Sequence, residues 1–292
     1  MLTVLPCRDS DAMADARRRE LGIAPDLAAR LGRTAVEAAA KGIYLGPRGE
    51  EIRFGGLVRQ ACERKVSIRP AQELPRCDRA PFARTRVQVA NETTLGAARR
   101  LVEEGHRPLA LNFASGVTPG GGFLAGARAQ EETLCRSSAL YATLFADPMY
   151  EAHARRPLPD STDWAILSPD VPVFRRDDGE PLARPWILSI LTCAAPLATL
   201  LGQPRSGDLL LARIHRVLRI ARAYGYEALV LGAWGCGAFG NDSRRCARDF
   251  RDALRGPFAG AFAEVVFAIA DWSPDRRSLG PFRDAFASAA EA

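Results

Sequence analysis

The chain has 292 residues, 47% hydrophobic and 25% charged, enough to bury a substantial core and too apolar for a disordered chain. No apolar run approaches the ~18 residues of a membrane span. The start Met1-Leu-Thr-Val-Leu-Pro-Cys-Arg8 has neither the basic opening nor the apolar stretch of a signal peptide, so a soluble cytoplasmic protein is expected. The formal net charge of +6 is a small excess over a large surface, from which nucleic-acid binding does not follow; neither sequence-specific nucleic-acid binding nor, without such an apolar run, a membrane partner is expected.

Apart from Lys41 and Lys65, every basic side chain of the Lys/Arg class is arginine. That suits phosphate recognition but follows equally from genomic base composition. The cysteines (7, 62, 77, 135, 193, 236 and 246) are odd in number and form no CxxC pair, so free thiols are expected. His106, His153 and His215 are far apart, with no HExxH or Cys/His cluster, and neither a metal nor another cofactor is predicted.

Residues 26–41 are alanine-rich, with Asp26 available as a cap and Gly42 as a stop, which predicts a helix. The turn Gly46-Pro47-Arg48-Gly49 divides two short extended segments. Residues 1–85 therefore read as an N-terminal, largely helical accessory region, followed by an α/β domain over 86–292.

That domain opens with the strand Arg86-Val-Gln-Val-Ala90 and a helix near 93–104. Later strands are expected at Pro108–Ala114, Pro185–Ile190, Ala228–Gly232 and Val265–Ile269, whose near-continuous apolar character implies burial on both faces. Helices are expected near 130–145, 207–224 and 243–254, the second from the spacing of Leu210, Ile214, Val217 and Ala221. Pro and Asp clusters over 146–184 predict a largely irregular excursion, with Ser168–Phe174 returning as an edge strand.

Two strand ends carry the chemistry. The first runs from Asn112-Phe113-Ala114 into Ser115-Gly116-Val117-Thr118-Pro119 and then Gly120-Gly121-Gly122. Three glycines let main chain lie directly against a ligand. Gln130-Glu131-Glu132 follow in the first turn of a helix. An acidic first turn is also ordinary dipole complementation, but the glycine triplet in front of it favours function. Neighbouring helical residues point about 100° apart, so the two acids must differ in role. One can grip substrate hydroxyls while the other exchanges a proton with a leaving oxygen or attacking water. Arg136, four residues past Glu132, is placed to pair with it.

The second strand end is Leu231-Gly232-Ala233-Trp234-Gly235-Cys236-Gly237-Ala238-Phe239-Gly240-Asn241-Asp242. Its Gly235-x-Gly237-x-x-Gly240 spacing, between a strand and a helix, predicts backbone amides that cradle a diphosphate. Phe239 and Trp234 are candidates for stacking on a base or ribose or for plain packing, and Cys236 reads as a small residue that fits the turn. A dehydrogenase would use the same glycine fingerprint, but it begins at residue 235 of 292 and leaves too little chain for the rest of a dinucleotide domain.

Together these loops resemble the microbial-type poly(ADP-ribose) glycohydrolases, whose motif is GGG, a short spacer, then QEE. Gly120-Gly121-Gly122 and Gln130-Glu131-Glu132 match it, as do Glu92-Thr93-Thr94-Leu95, Leu134–Ser138, Ser168–Phe174 and Gly232–Asn241. The resemblance implies a macrodomain-like three-layer α/β/α fold with a central mixed sheet. It implies metal-independent hydrolysis of ribose-ribose O-glycosidic bonds in poly(ADP-ribose), or action on ADP-ribosylated proteins, with ADP-ribose as product. Carried over by position, Glu132 is the acid/base and Glu131 its partner on the ribose hydroxyls. The implied substrate contacts are Ser115, Thr118, Pro119, Gly120, Gly121, Gly122 and Gln130 on one loop. On the other they are Gly235, Cys236, Gly237, Ala238, Phe239 and Asn241. Thr118-Pro119 departs from the family's frequent Asn-Pro. The alternatives are a non-catalytic ADP-ribose binding module and a hydrolase for single ADP-ribosyl groups on protein or nucleic acid.

Overall fold

The computed structural model describes residues 1–156 and 161–287. The first third of the chain contains β1 (Leu2–Val4), α1 (Asp11–Leu21), α2 (Pro25–Lys41), β2 (Ile43–Leu45), β3 (Glu51–Arg53), α3 (Gly55–Arg64), β4 (Val66–Ile68) and β5 (Thr85–Ala90). Ser10 caps α1 through a bond from Met13 N. In α2 the cap position is Ala24, with Pro25 in the first turn. Asp26 is therefore not the cap but a first-turn acid, favourable to the helix dipole. Gly42, at φ 69°, ends the helix as the sequence predicts and returns its N–H to Ala38 O.

Next come α4 (Thr94–Glu103), β6 (Pro108–Ala114), α5 (Gln130–Ser137), α6 (Leu140–Leu144), α7 (Pro148–Ala154), β7 (Ala165–Arg175) and β8 (Pro181–Ala194). The expected single helix over 130–145 is two. Ser138 takes an extended conformation, bridges to Val173 of β7, and caps the restart by accepting Leu140 N. The expected irregular excursion holds α7 and an 11-residue β7, and only part of it lacks regular structure. Residues 157–160 lie outside the described residues. Ser168–Phe174 pairs with β8 on one side; on the other, β4 pairs only with Ala165–Leu167, and the stretch meets a single bridge, from Ser138 to Val173.

The chain finishes with α8 (Ala198–Leu201), α9 (Arg205–Ala223), β9 (Ala228–Leu231), α10 (Ser243–Arg255), β10 (Glu264–Ala268) and α11 (Gly280–Ala287). One eight-stranded sheet has the order β1-β5-β10-β9-β6-β8-β7-β4. It is parallel from β1 through β8 and antiparallel across β8, β7 and β4. Both outermost strands come from the first 85 residues.

The central strands are apolar throughout because each feeds two cores. Leu109, Leu111, Leu229, Leu231, Val265 and Phe267 face α9, α10 and α11. Ala110, Ala228, Val230, Val266 and Ala268 face the opposite layer, built from α2 to α6. The small residues on that second face let α4 approach through Ala97 and Ala98. No helix among the described residues is long and apolar enough to cross a membrane.

Candidate active site

The glycine triplet and the acid pair meet where β6 ends. α5 is buried from Glu131 to Ser137, so its two carboxylates are fixed by the core beneath them. Glu131, 3% exposed, is held on both oxygens: Oε2 accepts Ser115 N at 2.6 Å and Oε1 accepts Asn112 Nδ2 at 3.3 Å. Glu132 accepts Gly122 N on Oε1 at 3.0 Å. Among the described residues no protein group bonds its Oε2. Glu132 also lines an open cavity. Two adjacent acids thus differ sharply: one is tied down, the other half free.

Two glycines of the triplet are required where they stand. Gly121 has φ 58°, and a Cβ there would lie 2.4 Å from Glu132 Oε1 and 3.1 Å from Glu131 Oε2. Gly120 has φ 72°, and its Cβ would meet the Phe123 ring at 2.9 Å. Behind this loop, Gly32 of α2 packs on the Phe123 carbonyl and Gly126 on the Pro25 carbonyl, so the N-terminal helices form the rear wall of the site.

Gln130 fastens α5 to β6. Its Oε1 accepts Phe113 N at 2.9 Å, and its Nε2 donates to Leu111 O at 2.8 Å and Thr94 Oγ1 at 3.0 Å. The rest of the loop is a tight turn in which Ser115 Oγ accepts Thr118 N and Thr118 O accepts Gly121 N.

The second loop folds back on itself. Asn241 N donates to Gly235 O, and Asn241 Nδ2 donates to Pro196 O at 2.8 Å and Gly235 O at 3.1 Å. Ala198 N holds Phe239 O. Among the described residues the amides of Gly237, Ala238 and Phe239 donate to no protein group, which leaves three successive N–H donors for an anion. The N-terminus of α10 is not part of this cradle, because Asp242 Oδ1 already accepts Arg244 N and Arg245 N. Trp234 is fully buried in the core and does not offer its ring to a ligand, whereas Phe239 is half-buried at the cleft.

Both loops line one cavity of about 210 Å³, which takes in Ser115, Gly121, Gln130, Glu131, Glu132, Gly235, Gly237, Ala238 and Phe239. Phe113, Ala129, Gln130, Ala233 and Gly237 are shared with a neighbouring cavity of about 280 Å³ that continues toward Thr93, Asp177 and the half-exposed Trp272. Thr118, Pro119, Gly120, Gly122, Cys236 and Asn241 shape the two turns without lining the first cavity.

Burial pushes Glu131 up to about 8, against the opposing pull of the Ser115 amide and the Asn112 side chain. Burial likewise pushes Asp177, whose Oδ2 accepts Thr93 Oγ1 at 2.8 Å, up to about 7. Arg136 does not capture Glu132: no ion pair joins them among the described residues, and its Nη2 reaches the Asp177 carbonyl at 3.4 Å. Burial lowers the Arg136 guanidinium, with Asp177 and Glu132 pulling the other way. Sequence reasoning gave no site role to the residues that pin the site: Asn112, whose Nδ2 also donates to Thr192 Oγ1 at 3.2 Å, Thr94 and Asp177 come from separate segments.

Parallel strands ending in a Gly-rich amide cradle and an acidic, glycine-floored pocket define a macrodomain-like α/β protein. The model of the microbial-type PARG catalytic domain matches residues 32–176. The poly(ADP-ribose) glycohydrolase (PARG) of Thermomonospora curvata, in a single-site variant, superposes with a TM-score of 0.83 at 40% identity, covering 89% of this chain and 100% of that one. Its complex with the inhibitor ADP-HPD gives a TM-score of 0.80 at 41% identity, covering 90% and 99%. The Deinococcus radiodurans enzyme in complex with ADP-ribose gives 0.73 at 39% identity, covering 81% and 99%. No curated protein sequence matches the chain. The chain belongs to the microbial-type poly(ADP-ribose) glycohydrolase family.

Proposed function

We propose that this protein hydrolyses the ribose-ribose O-glycosidic bonds of poly(ADP-ribose) and releases ADP-ribose. The observation that carries the reading is the unequal acid pair. Glu132 keeps one oxygen on the Gly122 amide, and the cavity it lines is also lined by Gly237, Ala238 and Phe239, whose amides are free. A diphosphate on those amides sets the attached ribose over Gly121, beside Glu132.

In the proposed reaction Glu132 protonates the departing 2′-oxygen, the ribose passes through an oxocarbenium-like state, and water adds to it while returning a proton to the Glu132 carboxylate. Glu131 grips ribose hydroxyls. With its pKa near 8 it is mostly protonated at neutral pH, which spares Glu132 a second negative neighbour. The proton belongs on Oε1, whose bond from Asn112 is the longer, leaving an O–H to offer a hydroxyl. The seven free cysteines support a reducing, cytoplasmic setting.

The test is mass spectrometry of the products formed from purified poly(ADP-ribose) and, separately, from mono-ADP-ribosylated protein. Release of free ADP-ribose from the polymer supports the reading. Release from the mono-modified protein alone would move the activity to single ADP-ribosyl groups. Calorimetric binding of ADP-ribose without release from either substrate would make the chain a binding module.

A further inference from the structure

His153, at the end of α7, belongs to no part of the site described so far, yet its imidazole is 3% exposed and hydrogen-bonded at both nitrogens. Nε2 lies 2.8 Å from Thr162 Oγ1 and receives Thr162 N–H at 3.1 Å. A ring nitrogen that accepts an N–H carries no hydrogen of its own, so the proton is on Nδ1. Nδ1 lies 2.9 Å from Gly116 O, and a carbonyl only accepts. Nδ1–H therefore donates into the turn that follows β6.

The next groups along show what that bond controls. The peptide whose carbonyl His153 holds carries the Val117 N–H, which points to Ser115 Oγ at 3.4 Å; Ser115 Oγ also accepts Thr118 N at 3.1 Å. Ser115 N is the donor on Glu131 Oε2, and Thr118 O receives Gly121 N. Gly116 itself packs on Ser161, where a Cβ would come within 2.7 Å of the Ser161 Cβ. Ser161 is clamped from α9 by Arg213, whose Nη1 donates to Ser161 Oγ at 2.9 Å and Ala194 O at 2.7 Å and whose Nη2 donates to Ser161 O.

We propose that His153 is a positioning residue for the hydrolysis: its Nδ1–H locks the Gly116–Val117 peptide and so holds the Ser115–Gly122 turn in register with Glu131 and Glu132. This rests on the glycohydrolase reading. It predicts an effect on turnover and little on ADP-ribose affinity, since the Gly237–Phe239 amides are on the other loop.

Two near-isosteric variants separate the bond from the bulk. His153→Asn keeps a donor near the Nδ1 position, and His153→Gln keeps a polar group near Nε2. The expected result is kcat within about threefold of wild type for Asn and lower by roughly 10- to 100-fold for Gln. Both variants should bind ADP-ribose within about threefold of wild type. Equal loss in both variants, or none in either, overturns the proposal. A wild type that releases no ADP-ribose refutes the glycohydrolase reading, and a role in its turnover falls with it. The proposal also fails on the wild-type protein alone if the ¹⁵N spectrum of its histidines shows Nδ1 of His153 without a proton, which keeps it testable should a variant fail to fold.

Discussion

Replacing Gly121 by alanine puts a methyl group where the account places the reactive carboxylate. The added Cβ lands 2.4 Å from Glu132 Oε1 and 3.2 Å from Glu132 Cδ, against ordinary contacts of 3.4 Å or more. Something must give by about 1 Å. Gly121 is held by its N–H on Thr118 O, and α5 is buried from Glu131 to Ser137, so the yielding group is the carboxylate, which rotates off the Gly122 amide. Alanine at φ 58° adds roughly 1–2 kcal/mol of backbone strain, and the lost hydrogen bond roughly 0.5–1.5 kcal/mol. A melting point lower by several degrees is expected. Because a displacement of ~1 Å can cost ~10²-fold in rate, kcat for ADP-ribose release should fall by about that factor, measured with saturating polymer on protein shown to be folded. A variant with wild-type kcat would refute the idea that chemistry uses the space above Gly121.

Gly237→Ala is the complementary case. A Cβ there meets nothing within 4 Å and the φ is not left-handed, so the variant should melt like wild type while its ADP-ribose Kd rises at least about tenfold from a clash with the diphosphate; calorimetry showing an unchanged Kd would count against the cradle. Asn241→Ala removes one buried and one partly buried bond to backbone carbonyls and should cost roughly 1–3 kcal/mol in chemical denaturation as well as ADP-ribose affinity. The pH dependence of stability has a definite sign. Glu131 and Asp177 are raised from 4.5 and 3.8 to about 8 and about 7, so the folded chain binds protons that the unfolded chain has released. Their stabilisation is complete below pH ~4 and is lost as pH climbs through 7 and 8. Urea unfolding of Glu131→Gln at pH 5 and pH 8.5 should show a flatter dependence than wild type, and an identical slope would refute burial as the cause.

Much of this was legible in the chain because the signals were local. Gly42, the apolar runs of β6, β9 and β10, and both glycine loops announce themselves by composition and spacing over a few residues. What was hidden depends on partners distant in sequence. β1 and β4 are three residues each, with no readable alternation, and become strands only by pairing with β5 and β7. The break at Ser138 is imposed by β7, which draws that backbone into a bridge. Arg136 has the i+4 spacing for an ion pair with Glu132, yet tertiary packing turns it toward the 177 turn. His153 carried no motif at all; only its contact with Gly116, 37 positions away, gives it meaning.

In the proposed reaction Glu132 moves the proton. Glu132→Gln keeps the shape and the Gly122 N–H bond on Oε1 but cannot protonate a leaving oxygen. This variant, folded and binding ADP-ribose, is expected to release ADP-ribose from poly(ADP-ribose) at least ~10²-fold more slowly than wild type. Release at the wild-type rate would contradict it.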